Sequence, residues 1–451
     1  MPAIKMPTGL RGDSDSPKQK ATLVNCFLEA GDTPTIAPRP AVDFFVEVFG
    51  RCRGAGKFDD GLYQVSANRL IKINEDEIGN TSFEFIGAIN IDGEADCLLI
   101  ESFTKLLIMV KGGKAYVYDG ITLEEITDPL YEVSSDATFI FSRFVFVPSD
   151  GGPYFWSNIN DPSSLDATFF ADAEVLPDKN FAVEELKDSL IIFGGATIER
   201  HGFNTPLNTF QRQAGATVNI GYVSGKARYN ETLAFIGRNI NGTFSIYLYG
   251  QSIPISNKAV DEVLNKYTLE QLRDVRADFF TWKGQAMIKW RLPDDDLLYY
   301  GDFAFIKSGV TGNTAGHWVA DFIQEFNGKL ICGDRSSPRA GELVDGNTDY
   351  DENIESEIVT SVRSEPRTNF LINRIYIEGT TGQTNKDRKI SLSVSEDGVH
   401  FGPLNWISLG RKGIFNNELS WNPIGRFDNH CSLKFRWIGD IKLPVDGVFF
   451  D

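Results

Sequence analysis

The sequence predicts an all-β protein, made of a β-propeller of six or seven blades and a C-terminal antiparallel β-sandwich, with a small helical insertion. Two observations predict the β-domains. A strand–turn–strand pattern recurs at a nearly constant spacing, and it gives way to plain alternation after about residue 350. A short stretch of helical periodicity predicts the insertion.

The repeated unit is an apolar strand, a tight polar turn and a second strand that carries aromatic residues. Its seven copies are about 43 residues apart, which suits the four short strands of a propeller blade. Seven hairpins bound six intervals, so the sequence is compatible with six or with seven blades. It is also compatible with a series of unrelated β-meanders. The last turn residues of the copies are Asn68, Gly113, Gly152, Gly195, Gly242, Gly284 and Gly328.

These patterns divide the chain into three parts. Residues 1–55, which contain several prolines, are expected to form an N-terminal arm and a first-strand region. Residues 56–350 form the propeller and residues 351–451 the sandwich. The sandwich strands are expected at 357–362, 370–378, 389–394, 404–409 and 432–438.

The helical insertion is expected at residues 257–277. Its apolar residues follow an i, i+3, i+4, i+7 pattern, and the sequence TLEQ at 268–271 resembles a capping box that opens a second helical turn. We expect this insertion to pack across a blade edge rather than to bind a partner. The apolar residues are Val260, Val263, Leu264 and Tyr267.

Composition limits the classes of function. The 451 residues are 42% hydrophobic and 24% charged, which is typical of a folded globular protein. A formal charge of −18 argues against a broad phosphate-binding surface. The sequence has no apolar run long enough to span a membrane and no apolar core of a signal peptide at its start. Its five scattered cysteines suggest buried, reduced thiols in a protein made in the cytoplasm.

Motif searches predict no catalytic, cofactor-binding or metal-binding residue. The phosphate-binding loop, the zinc-protease helix and the hydrolase nucleophile turn are absent from the sequence, and four histidines are too scattered for a metal set. Residues 345–351 imitate a calcium loop, but Tyr350 and Ser356 replace the glycine and glutamate that such a loop needs. Residues 395–401 resemble a sialidase Asp-box that is one residue short, and a hairpin turn at Asp397–Gly398 explains them.

The sharpest acidic cluster is Asp294, Asp295 and Asp296, which lies between two apolar runs and so at a hairpin tip. A solvated loop explains it, and the alternative is a point of negative potential beside DNA or a partner. A glycosidase would need two facing carboxylates, but 62 acidic residues make some such pair inevitable.

Several stretches resemble the tail-hub, or nozzle, proteins of short-tailed bacteriophages (podoviruses), also called packaged-DNA stabilisation or tail accessory proteins. The stretches follow the family in order over nearly the whole chain. They are NCFLE at 25–29, RCRG at 51–54, LKDSLIIFGGATIER at 186–200, ISNKAVDEVL at 255–264, YTLEQL at 267–272, WNPIGR at 421–426, LKFRW at 433–437 and PVDGVFF at 444–450.

The resemblance implies a structural virion protein without catalysis or cofactor, synthesised in the bacterial cytoplasm and located in the tail. It implies a homo-hexameric ring below the head-to-tail adaptor that retains packaged double-stranded DNA and conducts it during ejection. A needle or plug and tailspikes or fibres would dock on this ring. An alternative from another class is a propeller glycosidase or lectin that acts on surface polysaccharide.

The net charge is compatible with a conduit. Lysine and arginine contacts to phosphate would slow a passing duplex, whereas negative charge facing the lumen would repel it. We therefore expect Asp294, Asp295 and Asp296 to form an acidic loop of the DNA channel.

Overall fold

Strands dominate the computed structural model of the chain. The structure describes residues 3–12, 20–31, 34–91, 93–173, 176, 178–306, 316–363, 369–378, 388–410, 413, 419–439 and 441–451. The predicted all-β class, with a propeller and a sandwich, is confirmed. Among the described residues, no helix is both long and apolar enough to cross a membrane.

Seven antiparallel sheets form the blades of the propeller. The first strands of neighbouring blades pack side by side, and that of blade 7 contacts that of blade 1, so the ring is closed. Blades 1 to 3 are Cys52–Phe58, Gly61–Ser66, Arg69–Glu75 and Thr81–Ala88; Cys97–Glu101, Leu106–Val110, Ala115–Tyr118 and Leu123–Glu125; and Ser134–Ile140, Arg143–Pro148, Tyr154–Asn158 and Asp161–Ala171.

Blades 4 to 7 continue the same order, although blade 5 has three strands. They are Asn180–Glu185, Leu190–Gly194, Ile198–Asn204 and Thr209–Arg212; Gly221–Tyr229, Thr232–Arg238 and Phe244–Leu248; Arg276–Trp282, Gln285–Arg291, Asp296–Tyr299 and Phe303–Ile306; and Ala320–Phe326, Lys329–Asp334, Arg339–Val344 and Ala41–Glu47.

The outer strand of blade 7 comes from the N-terminal part of the chain. Ala41–Glu47 pairs antiparallel with Arg339–Val344, about 300 residues later, with Val344 opposite Ala41. This pairing closes the ring and fixes the number of blades at seven, which the sequence left at six or seven. The last section of the predicted arm is therefore a propeller strand.

Alternating side chains of the second strands fill the spaces between blades. In the fully buried strand Leu106–Val110, Leu106 and Ile108 pack toward blade 1, whereas Leu107 and Met109 pack toward blade 3. A strand buried on both faces has no polar side, which explains why these strands read as unbroken apolar runs in the sequence.

The predicted helical insertion is confirmed as two short helices, α1 (Lys258–Leu264) and α2 (Leu269–Arg273). Asn257 caps α1, and Thr268 and Gln271 form the capping box, in which each side chain accepts from the other residue's backbone N–H. The helices pack on blade 5, where a fourth strand is missing, through a core that includes Val260 and Leu264.

The sandwich has two main layers around one core. The first layer contains Glu355–Arg363, His430–Ile438, Lys389–Ser395 and Asn405–Ser408, and the second contains Ala3–Ile4, Val448–Phe450, Ile375–Ile377 and Leu419–Trp421. Two small sheets flank them: Asn369–Ile372 with Gly425–Asp428, and Cys26–Glu29 with Thr35–Pro38 and Leu443–Pro444.

A single strand joins the sandwich to the propeller. Thr22–Val24 pairs parallel with Phe303–Ile306 of blade 6 and antiparallel with Glu355–Arg363 of the sandwich, which makes one nine-stranded sheet. Part of the predicted N-terminal arm thus pairs with strands of both domains. Leu23, at the centre of this joining strand, is fully buried.

We expect Leu23→Ala to lower the free energy of unfolding by about 2–5 kcal/mol, because the substitution leaves a cavity in the joining strand. Denaturant unfolding of the full chain measures this loss. The matched control is Ile78→Ala, whose side chain is 85% exposed and whose effect should stay within about 0.5 kcal/mol. Equal effects of the two substitutions would contradict the joining role.

Candidate functional site

A buried arginine holds the arm, blade 7 and the linker to the sandwich together. The side chain of Arg39 is fully buried, and its Nη1 and Nη2 donate to the two carboxylate oxygens of Asp349 at 3.1 and 2.6 Å. Its Nε donates to Asn25 Oδ1 at 3.1 Å, and its guanidinium lies 4.9 Å from the centre of the Trp318 ring. A bidentate pair with further hydrogen bonds is the arrangement that a buried charge needs.

The same pair explains the calcium-like spacing of the linker. Asp349 accepts from Arg39 and from the backbone N–H of Val42 at 3.2 Å, while Asp345 pairs with Lys283 at 2.5 Å. These carboxylates point to different partners rather than to a common centre. In the parts of the chain that the structure describes, no group of three or more histidine, cysteine or acidic side chains is placed to hold a metal ion.

A second charged contact crosses the joint between the domains. Glu29 of the arm bonds Lys283 of the blade 6 turn, with Oε1 at 3.2 Å from Nζ, and its Oε2 bonds Lys442 of the sandwich. Partial burial alone would raise the pKa of Glu29, but the two lysines lower it below its usual value. The contact borders a cavity of about 730 Å³ that is also lined by Trp282.

The three aspartates of the predicted channel loop lie in different environments. Asp294 is exposed and Asp295 is half-buried, whereas Asp296 is fully buried. Asp296 accepts from the backbone N–H of Trp318 at 2.8 Å and lies 2.8 Å from His317 Nδ1. Asp296 therefore cannot contribute a solvent-facing charge, and an effect on DNA stays a prediction for Asp294 and Asp295.

Asp294 and Asp295 act electrostatically on the helical insertion. Burial, and then the charges of Asp295 and Asp294, raise the pKa of Tyr267, between α1 and α2, to about 12. The loop thus creates a local negative potential beside the insertion.

Asp296 also belongs to a buried charge network between blades 6 and 7. Lys289 Nζ lies 2.6 Å from Asp321 Oδ1 and 3.4 Å from Asp296 Oδ2, and all three side chains are fully buried. Arg291 and Arg335 reach the other oxygen of Asp321. Burial alone would raise the pKa of Asp321, but Lys289, Arg291 and Arg335 lower it to about 2.

The centre of the propeller holds a cavity of about 840 Å³ between the first strands of blades 2 to 6. Two of its carboxylates share a lysine: Lys226 Nζ lies 2.6 Å from Asp136 and 3.0 Å from Glu184. Burial alone would lower the pKa of Lys226, but the two carboxylates raise it above its usual value. A glycosidase needs two carboxyl groups that are free to act on a substrate, whereas both of these carboxylates are paired with Lys226.

The other residues considered from the sequence are the five cysteines, the turn at Asp397 and the four histidines. Cys26, Cys52, Cys97, Cys332 and Cys431 are free and buried, as predicted, and burial raises the pKa of the Cys97 thiol to about 12. Asp397 accepts from the backbone N–H groups of Val399 and His400, which confirms a turn at that position. His201, His317, His400 and His430 are far apart in the sequence, and each of the first three has a different carboxylate partner.

Sequence reasoning missed Arg39, Lys226 and Lys289, which are the cations that hold carboxylates inside the protein. A weak signal was present. Lys289 stands in the apolar strand QAMIKWR and Arg39 stands between two prolines, positions where an unpaired charge would be costly. Their partners lie between 7 and 310 residues away along the chain, so the sequence alone could not identify them.

Comparisons with known proteins point to one family over both domains. A family model described as the β-propeller of bacteriophage P22 Gp10 matches residues 32–348, and one described as the β-sandwich of that protein matches residues 355–449. The curated tail hub protein gp10 of Salmonella phage P22 is 22% identical over 422 residues, which cover 86% of this chain and 84% of the relative.

Two solved structures match the chain at low similarity. The computationally designed protein Ika8 has a TM-score of 0.38 and 10% identity over 76% of this chain and 100% of its own. BBS1N, in a complex with ARL6DN, has a TM-score of 0.37 and 11% identity over 68% of this chain and 97% of its own.

We expect Arg39→Met to lower the free energy of unfolding by about 3–5 kcal/mol, because the substitution leaves the Asp349 carboxylate buried without its cation. Thermal and denaturant unfolding measure the loss. The double variant Arg39→Met/Asp349→Leu should recover most of it, since no charge is then buried alone. A double variant as unstable as the sum of both single variants would show that the two side chains act independently.

Asp321 should make stability depend on acidic pH. Its pKa is lowered in the folded state, so its contribution is present above the unfolded value near 3.8 and is lost as pH falls toward about 2. The contribution is on the order of 2 kcal/mol. Denaturant unfolding between about pH 5 and about pH 2 should therefore show a shallower decline for Asp321→Asn than for the wild type, whatever the absolute stability of the variant.

Proposed function

The chain belongs to the family of bacteriophage P22 Gp10, and we propose that it is a structural protein of a short phage tail in which six copies form the ring-shaped hub. The hub would attach to the head-to-tail adaptor, retain packaged DNA and conduct it during ejection. It would also dock a needle or plug and tailspikes or fibres. The protein would be made in the bacterial cytoplasm and act in the virion.

The match of both domains, in order and over nearly the whole chain, carries this proposal. The relative that it resembles over 422 residues is a tail hub protein, which favours a structural rather than a catalytic role. A chance likeness of one common β-fold would not extend to the sandwich that follows it.

The rigid joint between the domains favours a role in which the protein resists mechanical force. The strand Thr22–Val24 gives the two domains one continuous sheet, and the Arg39–Asp349 pair fixes the arm against blade 7. Domains linked only by a flexible segment move relative to one another by default. A subunit that must keep its place in a ring under the pressure of packaged DNA benefits from a joint of this kind.

The charge of the protein suits a conduit that does not bind its cargo. Each chain carries −18, and inside the protein several cations are already paired with carboxylates. Counterion release on phosphate contact, the main source of affinity for DNA, requires free lysines and arginines. We propose that the exposed Asp294 and the half-buried Asp295 face the lumen, where they would repel the duplex.

We expect the full chain, mixed with its adaptor, to form rings of six copies, as measured by mass photometry and by imaging of isolated tails. A closed ring follows from one heterologous contact repeated by rotation. The chain alone is the control, because assembly can require the adaptor. Particles that carry this chain in another number, or outside the tail, would contradict the proposal.

Asp294→Asn/Asp295→Asn should leave ring assembly unchanged and slow DNA ejection in vitro, most strongly at low salt, because two charges that repel the duplex are lost. Fluorescence of a DNA dye after triggered ejection measures the rate. Asp188→Asn, which removes an exposed charge from another turn, is the matched control. An ejection rate equal to that of the control would show that these two residues do not act on DNA in the channel.

A further inference from the structure

Four successive blades each expose one large aliphatic side chain at an equivalent turn. The turn joins the third and fourth strands of blades 1 to 4, where polar residues and glycine are the usual choice. The exposed fractions are 85%, 86%, 64% and 64%. The residues, which we name the apolar arc, are Ile78, Ile121, Ile159 and Leu207.

The four turns lie on one face of the propeller. In antiparallel blades the turns after the first and third strands lie at the same edge, and contacts between blades confirm this here. Lys105 in the first turn of blade 2 pairs with Asp161, which follows the outer turn of blade 3, at 2.7 Å. Arg143, which follows the first turn of blade 3, donates to Asn208 in the outer turn of blade 4 at 2.6 Å.

Two of the turns hold their aliphatic residue in a fixed position. Asp76 Oδ1 accepts from the backbone N–H of Ile78 at 3.1 Å, and Asp119 Oδ1 accepts from that of Ile121 at 2.8 Å. Such side-chain-to-backbone bonds define rigid turns. A side chain presented on a rigid turn loses less conformational entropy when a partner covers it.

Aromatic side chains extend the apolar surface toward the propeller axis. Phe103 in the first turn of blade 2 is 81% exposed, with its ring centre 6.1 Å from that of Phe139. Phe141 in the first turn of blade 3 stacks on Phe203 of blade 4, with 5.5 Å between ring centres. Single exposed apolar residues are common, but repeated and neighbouring ones mark an interaction surface.

Exposed carboxylates surround this apolar surface. Asp76 and Glu77 directly precede Ile78, Asp119 lies two residues before Ile121, and Glu101 precedes Phe103 by two residues. The side chain and backbone of Asn80 lower the pKa of Asp76, so its charge persists at neutral and mildly acidic pH.

The arc belongs to blades 1 to 4, because blade 5 has no fourth strand and the chain after its third strand leads to α1. In blade 6 the corresponding turn is covered by the N-terminal arm, where Thr8 Oγ1 donates to Asp302 at 3.2 Å and the Tyr300 hydroxyl donates to the Thr8 carbonyl at 2.5 Å. In blade 7 the outer strand is Ala41–Glu47, so its third and fourth strands are not joined by a turn. Docking on the arc is therefore compatible with the joint to the sandwich.

We propose that the apolar arc is the docking surface for a different protein of the tail, whose contact surface offers apolar sockets surrounded by lysine and arginine. This inference rests on the proposed function, which places the chain in a multi-protein tail. Charge selects the occupant: the exposed carboxylates around the arc favour a partner surface that carries lysine and arginine over a second copy of the same acidic face.

The test uses phage particles that lack this chain, incubated with the purified full-length protein. The arc variant is Ile78→Ser/Ile121→Ser/Ile159→Ser/Leu207→Ser. The control variant is Ile240→Ser/Leu371→Ser, whose side chains are 98% and 57% exposed, the first in the turn between the second and third strands of blade 5 and the second in the sandwich. All tail proteins bound to the washed particles are quantified by mass spectrometry, and thermal unfolding of both variants checks that each is folded.

We expect the arc variant to bind one basic tail protein at least about tenfold more weakly than the wild type, because truncated apolar anchors dominate the loss of affinity at protein interfaces. The control should behave as the wild type. Raising NaCl from about 0.05 M to about 0.5 M should weaken the wild-type interaction, as expected for an acidic surface that meets a basic one.

Two results would overturn the inference. One is an arc variant that retains every tail protein as well as the control does. The other is a defect limited to contacts between copies of this chain, seen as incomplete rings, which would assign the arc to a second copy. If the wild-type chain itself did not join the tail, the proposed function would fail and the arc inference with it, whereas failure of the arc alone would leave the wild-type ring intact.

Discussion

Closure of the propeller depends on bringing Ala41–Glu47 beside Arg339–Val344, and the buried ion pair of Arg39 with Asp349 fixes the chain on both sides of that pairing. Arg39 lies two residues before the incoming strand, and Asp349 follows the strand that receives it. A charge buried without its partner is costly, so the pair favours a single register for the last blade. The same guanidinium reaches Asn25, next to the strand that enters the sandwich, which couples ring closure to the placement of the second domain.

Several charged side chains inside the protein are paired with opposite charges, whereas the negative excess lies at the surface. Arg39, Lys226 and Lys289 are buried beside carboxylates, in the joint, the central cavity and the contact between blades 6 and 7. Cations that neutralise acids inside the protein are not available to phosphate outside it. The arrangement stabilises the fold and leaves the outer surface with an acidic excess, which is compatible with the proposed DNA conduit and the proposed docking surface.

The sequence best predicted those structural features that depend on residues close together along the chain. Tight turns at regular spacing and fully apolar second strands predicted the blades, and the residues Thr268 and Gln271 predicted a helix start that the structure contains. Pairings between distant segments carry no such signal. The blade number therefore stayed open, because the seventh blade takes its outer strand from residues 41–47. Asp296 was grouped with Asp294 and Asp295, although it is fully buried beside His317 and the backbone of Trp318.

The strand Ala3–Ile4 pairs with Val448–Phe450, and this has a consequence for biosynthesis. A ribosome releases residues 3–4 about 440 residues before residues 448–450, so this strand must wait for its neighbour during translation of the segment between them. Contacts between such distant segments form slowly. A nascent or truncated polypeptide would leave that strand edge open, and only a finished molecule would present the completed surface to a growing particle.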